Sequence, residues 1–404
     1  MLSLNVVLLI PIGLYWMLRR FRISKTTLIG SLVFFLILLL SFGVAQLGPC
    51  EDKFSKAYIT APLLTILLMI GLEVGARAKP EEWQKLRSTA FRVLIVAFIF
   101  IIAEMLYPQF FSLSKIKYHT ELKYSGIFYE PSHVAISLFP CIALLLSSND
   151  KTFNRKGIYS LLLLFLASRS STLFMLTLCY IVYRLVILRK KKQGLKYLSI
   201  IAVVIAIAVT LNYELLVAPT VDRADDVTAL IVDDARPSNL NFSSMIYYKG
   251  WQDALANTAR TYGLGLGFNM MGCTPLPDTT TRRILSAPGR MDLNNEDGSF
   301  LLSKLMSEFG LPGLIFFIWV VFYWIRYEIR SKAWSGQAFG DVSPIHNALM
   351  FSFVGTSLLR STGYFQGGIL LWATAAVGAA LWSKKYTHSK RVARITQEYR
   401  SDSK

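Results

Sequence analysis

The chain has 404 residues, 53% of them hydrophobic and only 17% charged, with a mean hydropathy of +0.45. Soluble domains carry about 25% charged residues, so an ordinary cytosolic enzyme is disfavoured, and the spread of aromatic and branched apolar residues excludes disorder. The net charge of +18 would raise nucleic acid as a partner of a soluble protein, but in an apolar chain the placement of the charges matters more than their sum.

A bilayer core takes about 20 predominantly apolar residues per helix. The first such run, 2–17, ends in Leu18-Arg19-Arg20-Phe21-Arg22 with no small-residue cleavage site, so a removed signal peptide is not expected. Further runs lie near 27–47, 58–76, 90–107, 127–148, 158–167, 172–188, 197–216, 300–325, 345–360 and 368–383, which makes eleven candidates. Residues 158–188 suit one long tilted helix or two short ones. The Ser168-Arg169-Ser170-Ser171 break favours two, because an arginine flanked by three hydroxyls is a poor lipid-facing interior.

Basic residues beside the spans set orientation. Arg19, Arg20, Arg22 and Lys25 share one side with Arg77, Lys79, Lys85 and Arg87, and with Lys151, Arg155 and Lys156. Arg189–Lys192, Arg326, Arg330, Lys332 and the tail 384–404 fall there too. That side is predicted to be cytoplasmic, which puts the N-terminus outside and the C-terminus inside. The fold class expected is therefore an all-α polytopic membrane protein, 1–404 forming one membrane domain with a basic cytoplasmic tail. Its charge orients the chain, and no nucleic acid is needed to explain it.

The outer side holds one long connection, 217–297. At roughly 80 residues it exceeds the 12–15 beyond which loops are usually functional or disordered. Ser243 or Ser244 can cap a helix there, with Met245, Tyr248, Trp251 and Leu255 following at helical spacing. That stripe lies on the membrane surface, caps a cavity, or packs on the bundle top. Gly263-Leu264-Gly265-Leu266-Gly267 is not a dinucleotide fingerprint, since no strand or βαβ unit surrounds it; it reads as a tight turn after the helix. No internal repeat stands out, which weakens an inverted-repeat transporter reading.

Ionisable groups in or beside spans are functional candidates by default. Pro131 suits the first turn of a helix, so Glu130 sits by that helix's N-terminus and Ser132 and His133 follow in its first turn. Glu130 is either an acidic cap or a carboxylate that accepts a proton or binds a sugar hydroxyl. Arg169 either pairs with a buried carboxylate or binds a phosphate in its guanidinium fork. Arg360, at the outer end of its span, serves the site or snorkels to the interface. The long loop carries seven cations, Arg236 and Arg282 among them, against ten carboxylates that include Asp297. His346-Asn347 lies at the cytoplasmic end of its span. Cys50 and Cys273 fall outside, where pairing is open to them, and Cys141 and Cys179 fall within spans as packing residues. The four Cys and four His show no CxxC or HxxxH spacing for a structural zinc site.

These segments resemble the bacterial O-antigen polymerase (Wzy) and O-antigen ligase superfamily, membrane glycosyltransferases of GT-C type. Gly126-Ile127-Phe128-Tyr129-Glu130-Pro131-Ser132 is similar to the Gly-x-Phe-x-Glu-Pro-Ser segment of polysaccharide polymerases. Ala167-Ser168-Arg169-Ser170-Ser171 resembles the Ser-Arg between short helices. The loop helix ending in 263–268 resembles the end of the long periplasmic loop. The stretch from Asp297-Gly298-Ser299-Phe300 through Glu308-Phe309-Gly310-Leu311-Pro312-Gly313 resembles the segment that follows, where ligases carry His-Asn and then Glu-x-Gly-x-x-Gly. The ligase His is absent, Asp297 being nearest its position, which favours a polymerase.

The resemblance implies about eleven transmembrane helices with 217–297 as the long periplasmic loop, in a bacterial inner membrane with the active site facing the periplasm. It implies transfer of a growing glycan from undecaprenyl pyrophosphate to a sugar hydroxyl of a lipid-linked repeat unit. Partners would be those lipid-linked glycans, membrane lipids and a chain-length regulator protein. Glu130, then Asp297, would act as base. Arg169, Arg360, Arg236 and Arg282 would stabilise the departing pyrophosphate, with His133 in the substrate site. No metal or other cofactor is expected. The alternatives are a lipid-linked oligosaccharide flippase or other transporter, and the related ligase.

Overall fold

The computed structural model describes residues 23–45, 54–77, 80–107, 124, 126, 131–148, 150–188, 225, 242–272, 298–333, 342–360, 363–365, 370, 373–378 and 380. Among the described residues the fold is all-helical. The principal helices are α1 (Lys25–Ala45), α2 (Phe54–Arg77), α3 (Pro80–Leu106), α4 (Pro131–Leu146) and α5 (Lys151–Ser168). They continue with α6 (Ser171–Leu188), α7 (Phe242–Arg260), α8 (Leu301–Ala333) and α9 (Val342–Leu359). Four windows, in α1, α2, α3 and α8, are long and apolar enough to cross a membrane, and α4 and α6 carry shorter apolar stretches. This is the pattern of a multi-pass helical membrane protein. The predicted runs 2–17 and 197–216 lie outside the described residues.

Contacts fix the helix directions. Ser24 at the start of α1 donates its backbone N–H to Glu73 near the end of α2 (3.2 Å), while Phe42 near the end of α1 meets Tyr58 near the start of α2. α1 and α2 are therefore antiparallel. The Lys156 ammonium lies 4.7 Å from the Phe91 ring, which sets the start of α5 beside the first half of α3. Trp324 and Glu328, late in α8, hydrogen-bond Asn347, early in α9. We call the end where α3, α5 and α9 finish and α4, α6 and α8 begin the upper end. Lys25, Lys85, Lys151, Arg155, Lys156 and Arg326 all belong to the lower half, as the charge pattern predicts for one side of a membrane.

α4 is the centre of the bundle and packs against α3, α5, α6 and α9. Its apolar residues from Val134 to Leu146 are buried all round, which suits a helix without a polar face. Pro131 opens it, as predicted. The stretch 151–188 is two helices. Ser168 ends α5, Arg169 takes the left-handed conformation (φ 46°, ψ 40°) and donates its N–H to Phe165. Ser170 then caps α6 by accepting from the Leu173 N–H. α5 begins seven residues before the predicted run at 158, because Asp150 caps it through the Thr152 N–H (2.8 Å).

α8 is broken at Gly310, whose backbone is non-helical (φ 60°, ψ −140°), with Pro312 two residues on. The turn 261–267 fills the break. The Leu266 N–H donates to the Ser307 carbonyl and the Gly267 N–H to the Glu308 carbonyl (both 2.9 Å), while the Leu311 N–H donates to the Gly263 carbonyl (2.8 Å). A Cβ on Gly265 would sit 2.5 Å from both the Glu308 oxygen and the Gly310 nitrogen, and one on Gly310 would strike the Gly263 carbonyl. Both glycines also have positive φ. Gly265→Ala and Gly310→Ala are each expected to cost well over the roughly 1–2 kcal/mol of a left-handed Ala, lowering the melting temperature in detergent. Gly43→Ala, with nothing within 4 Å of its Cβ, is expected to be neutral or to stabilise α1 slightly.

Candidate active site at the upper end of the bundle

α7 and α8 run in the same direction through their contact. Ser299 Oγ donates to the Ile246 carbonyl, Thr258 Oγ1 to the Met306 carbonyl (3.1 Å), and Gly263 meets Leu311. Tyr247 and Trp251 pack on Phe300. Gly250 allows the approach, since a Cβ there would lie 2.9 Å from Ser299 Oγ. The buried face is thus built on Ile246, Gly250 and Ala254, and Leu255 of the predicted stripe is exposed. The helix starts at Phe242, which puts Ser243 and Ser244 inside its first turn and not at the cap.

Beside this seam lie two buried ion pairs of i,i+4 spacing. Lys249 reaches Asp253 at 2.7 Å and Lys304 reaches Glu308 at 2.9 Å. Burial pushes the Asp253 carboxyl up, and the Lys249 ammonium pulls it part of the way back. Glu308 is fully buried and holds several donors at once. Its Oε2 accepts from the Asn269 N–H (2.8 Å) and the Tyr364 hydroxyl, and its Oε1 from Lys304 and, at 3.4 Å, the Met271 N–H. Burial and the adjacent carboxylate push the Tyr364 hydroxyl well above its ordinary range, so it remains a donor. The Lys304 ammonium also lies 5.2 Å from the Tyr364 ring, Phe268 stacks on that ring, and the Asn269 amide donates to Thr60 Oγ1 of α2 (3.1 Å). One carboxylate therefore joins α8, the loop that follows α7, and the segment after Arg360.

The predicted site residues divide into two sets. Arg169, Arg360 and His133 are described, each partly buried, and all three stand at the upper end. Arg169 ends α5, Arg360 follows α9, and His133 is in the first turn of α4. Glu130, Asp297, Arg236 and Arg282 lie outside the described residues, as do Cys50 and Cys273. The backbone leading to Glu130 is anchored nearby. Tyr124 donates its N–H to the Ala167 carbonyl (3.2 Å), and Gly126 donates its N–H to Glu104 at the end of α3 (2.6 Å). His346 is buried at the lower end against the Tyr327 ring (3.9 Å between centroids), away from this group. Among the described residues, no three His, Cys, Asp or Glu side chains group as a metal site requires.

Sequence reasoning missed Lys304, Glu308 and Tyr364 as a cluster. The signal was present as two opposite charges at i,i+4 at the head of an apolar run. No protein-family model, curated protein or solved structure matches the chain.

At the upper end the positive dipole ends of α4, α6 and α8 are matched by the C-termini of α3, α5 and α9, and two of those C-termini carry Arg169 and Arg360. The buried pairs neutralise themselves, which leaves the guanidinium groups and the Glu104 carboxylate among the other charges described at this end. Removing one partner of the Lys304–Glu308 pair leaves a buried charge uncompensated, at a cost of about 3–5 kcal/mol. Lys304→Met and Glu308→Gln are each expected to lose that much in denaturant unfolding. The double variant is expected to lose clearly less than the sum; additivity within about 0.5 kcal/mol would mean the two are uncoupled.

Proposed function

We propose that the protein is a membrane glycosyltransferase that polymerises a surface polysaccharide, the O-antigen polymerase reaction. It moves a growing glycan from undecaprenyl pyrophosphate to a sugar hydroxyl of a lipid-linked repeat unit, on the periplasmic face of a bacterial inner membrane. The observation that carries this reading is that Arg169 and Arg360 both stand at the upper end of the bundle, at the ends of α5 and α9, where α4 begins. Basic residues mark the opposite end as cytoplasmic, so the upper end faces the compartment where such lipid-linked substrates present their head groups. The reading further takes the chain to have about eleven spans.

The chemistry follows from charge development. As the glycosidic bond to pyrophosphate breaks, negative charge grows on the leaving group, and fixed guanidinium groups stabilise it most when water is excluded. Arg169 and Arg360 fill that role, with Arg236 and Arg282 of the long loop as further cations. Glu130 is the first choice for the base that takes the proton of the attacking hydroxyl, and Asp297 the second. His133, in the first turn of α4, belongs to the substrate site in this scheme. A chain-length regulator protein is the partner such a reaction calls for.

Arg169 allows a test that separates chemistry from folding. Its left-handed backbone suits glycine better than any side chain, so Arg169→Gly removes the guanidinium without straining the turn. In a host that assembles the polymer, Arg169→Gly, Arg360→Ala and Glu130→Gln are each expected to cut polymerisation roughly 10²-fold at normal protein levels. The glycan ladder on a gel would collapse to a single repeat unit. Full-length ladders from all three variants would overturn the site. Loss of the single repeat as well would mean a flippase, and polymer left unattached to lipid A core would mean a ligase.

A further inference from the structure

The apolar window in α8 runs from Leu301 to Ile329, 29 residues, or roughly 43 Å at about 1.5 Å per residue. That exceeds the roughly 30 Å of a bilayer's hydrocarbon core. Exposure shows where the excess lies. From Leu301 to Phe309 every residue is buried or partly buried, under α7 and its turn. From Leu311 onward a stripe of large apolar side chains is bare, through Ile315, Phe316, Trp319 and Phe322 to Ile329. Leu311–Ile329 covers roughly 28 Å, close to one hydrocarbon thickness. The bilayer surface therefore falls near the Gly310 break.

The end of α7 arrives at that level. Leu264 is 61% exposed and Tyr262 97%, while Leu255, two turns back, is also bare. Between them the turn touches α8 where the stripe begins, since the Gly263 carbonyl accepts from the Leu311 N–H and Leu311 is itself 50% exposed. Arg260 stands in the last turn of α7, at the height of lipid phosphates. A bare aromatic, two bare leucines and a neighbouring cation are what an interfacial segment presents to a membrane. The α7 side is thus continuous with the lipid-facing surface of α8.

We propose that the C-terminal end of α7 and its turn are seated in the upper leaflet, with Tyr262 and Leu264 among the acyl chains and Leu255 at head-group depth. α7 then stands upright on the bilayer beside the part of α8 that rises out of it. Lys304 and Glu308 lie just above the hydrocarbon boundary, at the depth of lipid head groups. The occupant of the bare surface is phospholipid.

The test is nitroxide accessibility in the full chain, with the native cysteines replaced and single labels placed at 255, 262, 264 and 311. The protein is reconstituted in nanodiscs of phosphatidylethanolamine and phosphatidylglycerol, and a label at Thr152, exposed at the lower end, serves as the aqueous reference. These positions are exposed, so labels leave the packing intact. The ratio of oxygen to nickel-chelate collisions is expected to be several-fold higher at 262 and 264 than at 152, matching 311, with 255 between. Nickel accessibility at 262 and 264 equal to that at 152 would overturn the proposal. So would dipolar broadening between singly labelled protomers at 264, which would assign the surface to a second copy of the chain.

Discussion

The upper half of the structure depends on how the break in α8 is satisfied. Buried backbone groups in an apolar surround need partners, and a helix that turns at Gly310 and carries Pro312 leaves carbonyls of its preceding turn without helical donors. The turn after α7 supplies them through Leu266 and Gly267. The exchange runs both ways, because Leu311 returns a hydrogen bond to Gly263. The loop is therefore part of the packed bundle and not an appendage to it. Glycines at 263, 265 and 310 make the backbone-to-backbone approach possible, which no side chain at 265 or 310 would permit.

Glu308 extends that joint from backbone to side chain. Its carbonyl takes one loop N–H and its carboxylate takes two more, from Asn269 and Met271. The same carboxylate receives the Tyr364 hydroxyl, four residues after Arg360. A single residue thus couples the height and angle of the long loop to the end of α9. Such a fully satisfied buried charge contributes uniqueness of arrangement more than stability, because desolvation offsets most of its Coulomb attraction. Its value to the fold is that it holds Tyr364, four residues after Arg360, in register with the turn that follows α7.

Much of the bundle was legible in the sequence because lipid imposes a simple rule on helix length. Runs 27–47, 58–76 and 90–107 coincide with α1, α2 and α3, give or take the polar turns that extend α3 back to Pro80. The Ser168–Ser171 break was visible because a charged residue between hydroxyls contradicts a lipid-facing helix, and the start at Pro131 because its ring suits a first turn. The Gly263–Gly267 turn was visible as a turn, but its partner was not, since nothing in sequence links residue 265 to residue 310. The stripe is the contact face of α7 only in part, since Trp251 packs on Phe300 while Leu255 is bare. The large residues at 248, 251 and 255 drew attention, whereas close approach of two helices is carried by the small ones, Gly250 and Ala254. Lys304 escaped notice, and with it the pairing with Glu308, because the apolar residues around them dominate a hydropathy window.

Depth of burial distinguishes the groups that hold the fold from Arg169 and Arg360. At the lower end, Glu328 and Asn347 are deeply buried, the Asn347 amide donating to Glu328 and accepting from Trp324, and His346 is buried against Tyr327. At the upper end, Lys249, Asp253, Lys304 and Glu308 are equally buried and paired with one another. A group closed off on every side and already paired has no face left for a substrate. Arg169 and Arg360 differ in being partly exposed, and each stands at a helix C-terminus, where the macrodipole favours a cation. That placement makes them stable as fixed charges in the resting protein. In the proposed reaction the departing pyrophosphate would meet charge already oriented, so little reorganisation would be needed.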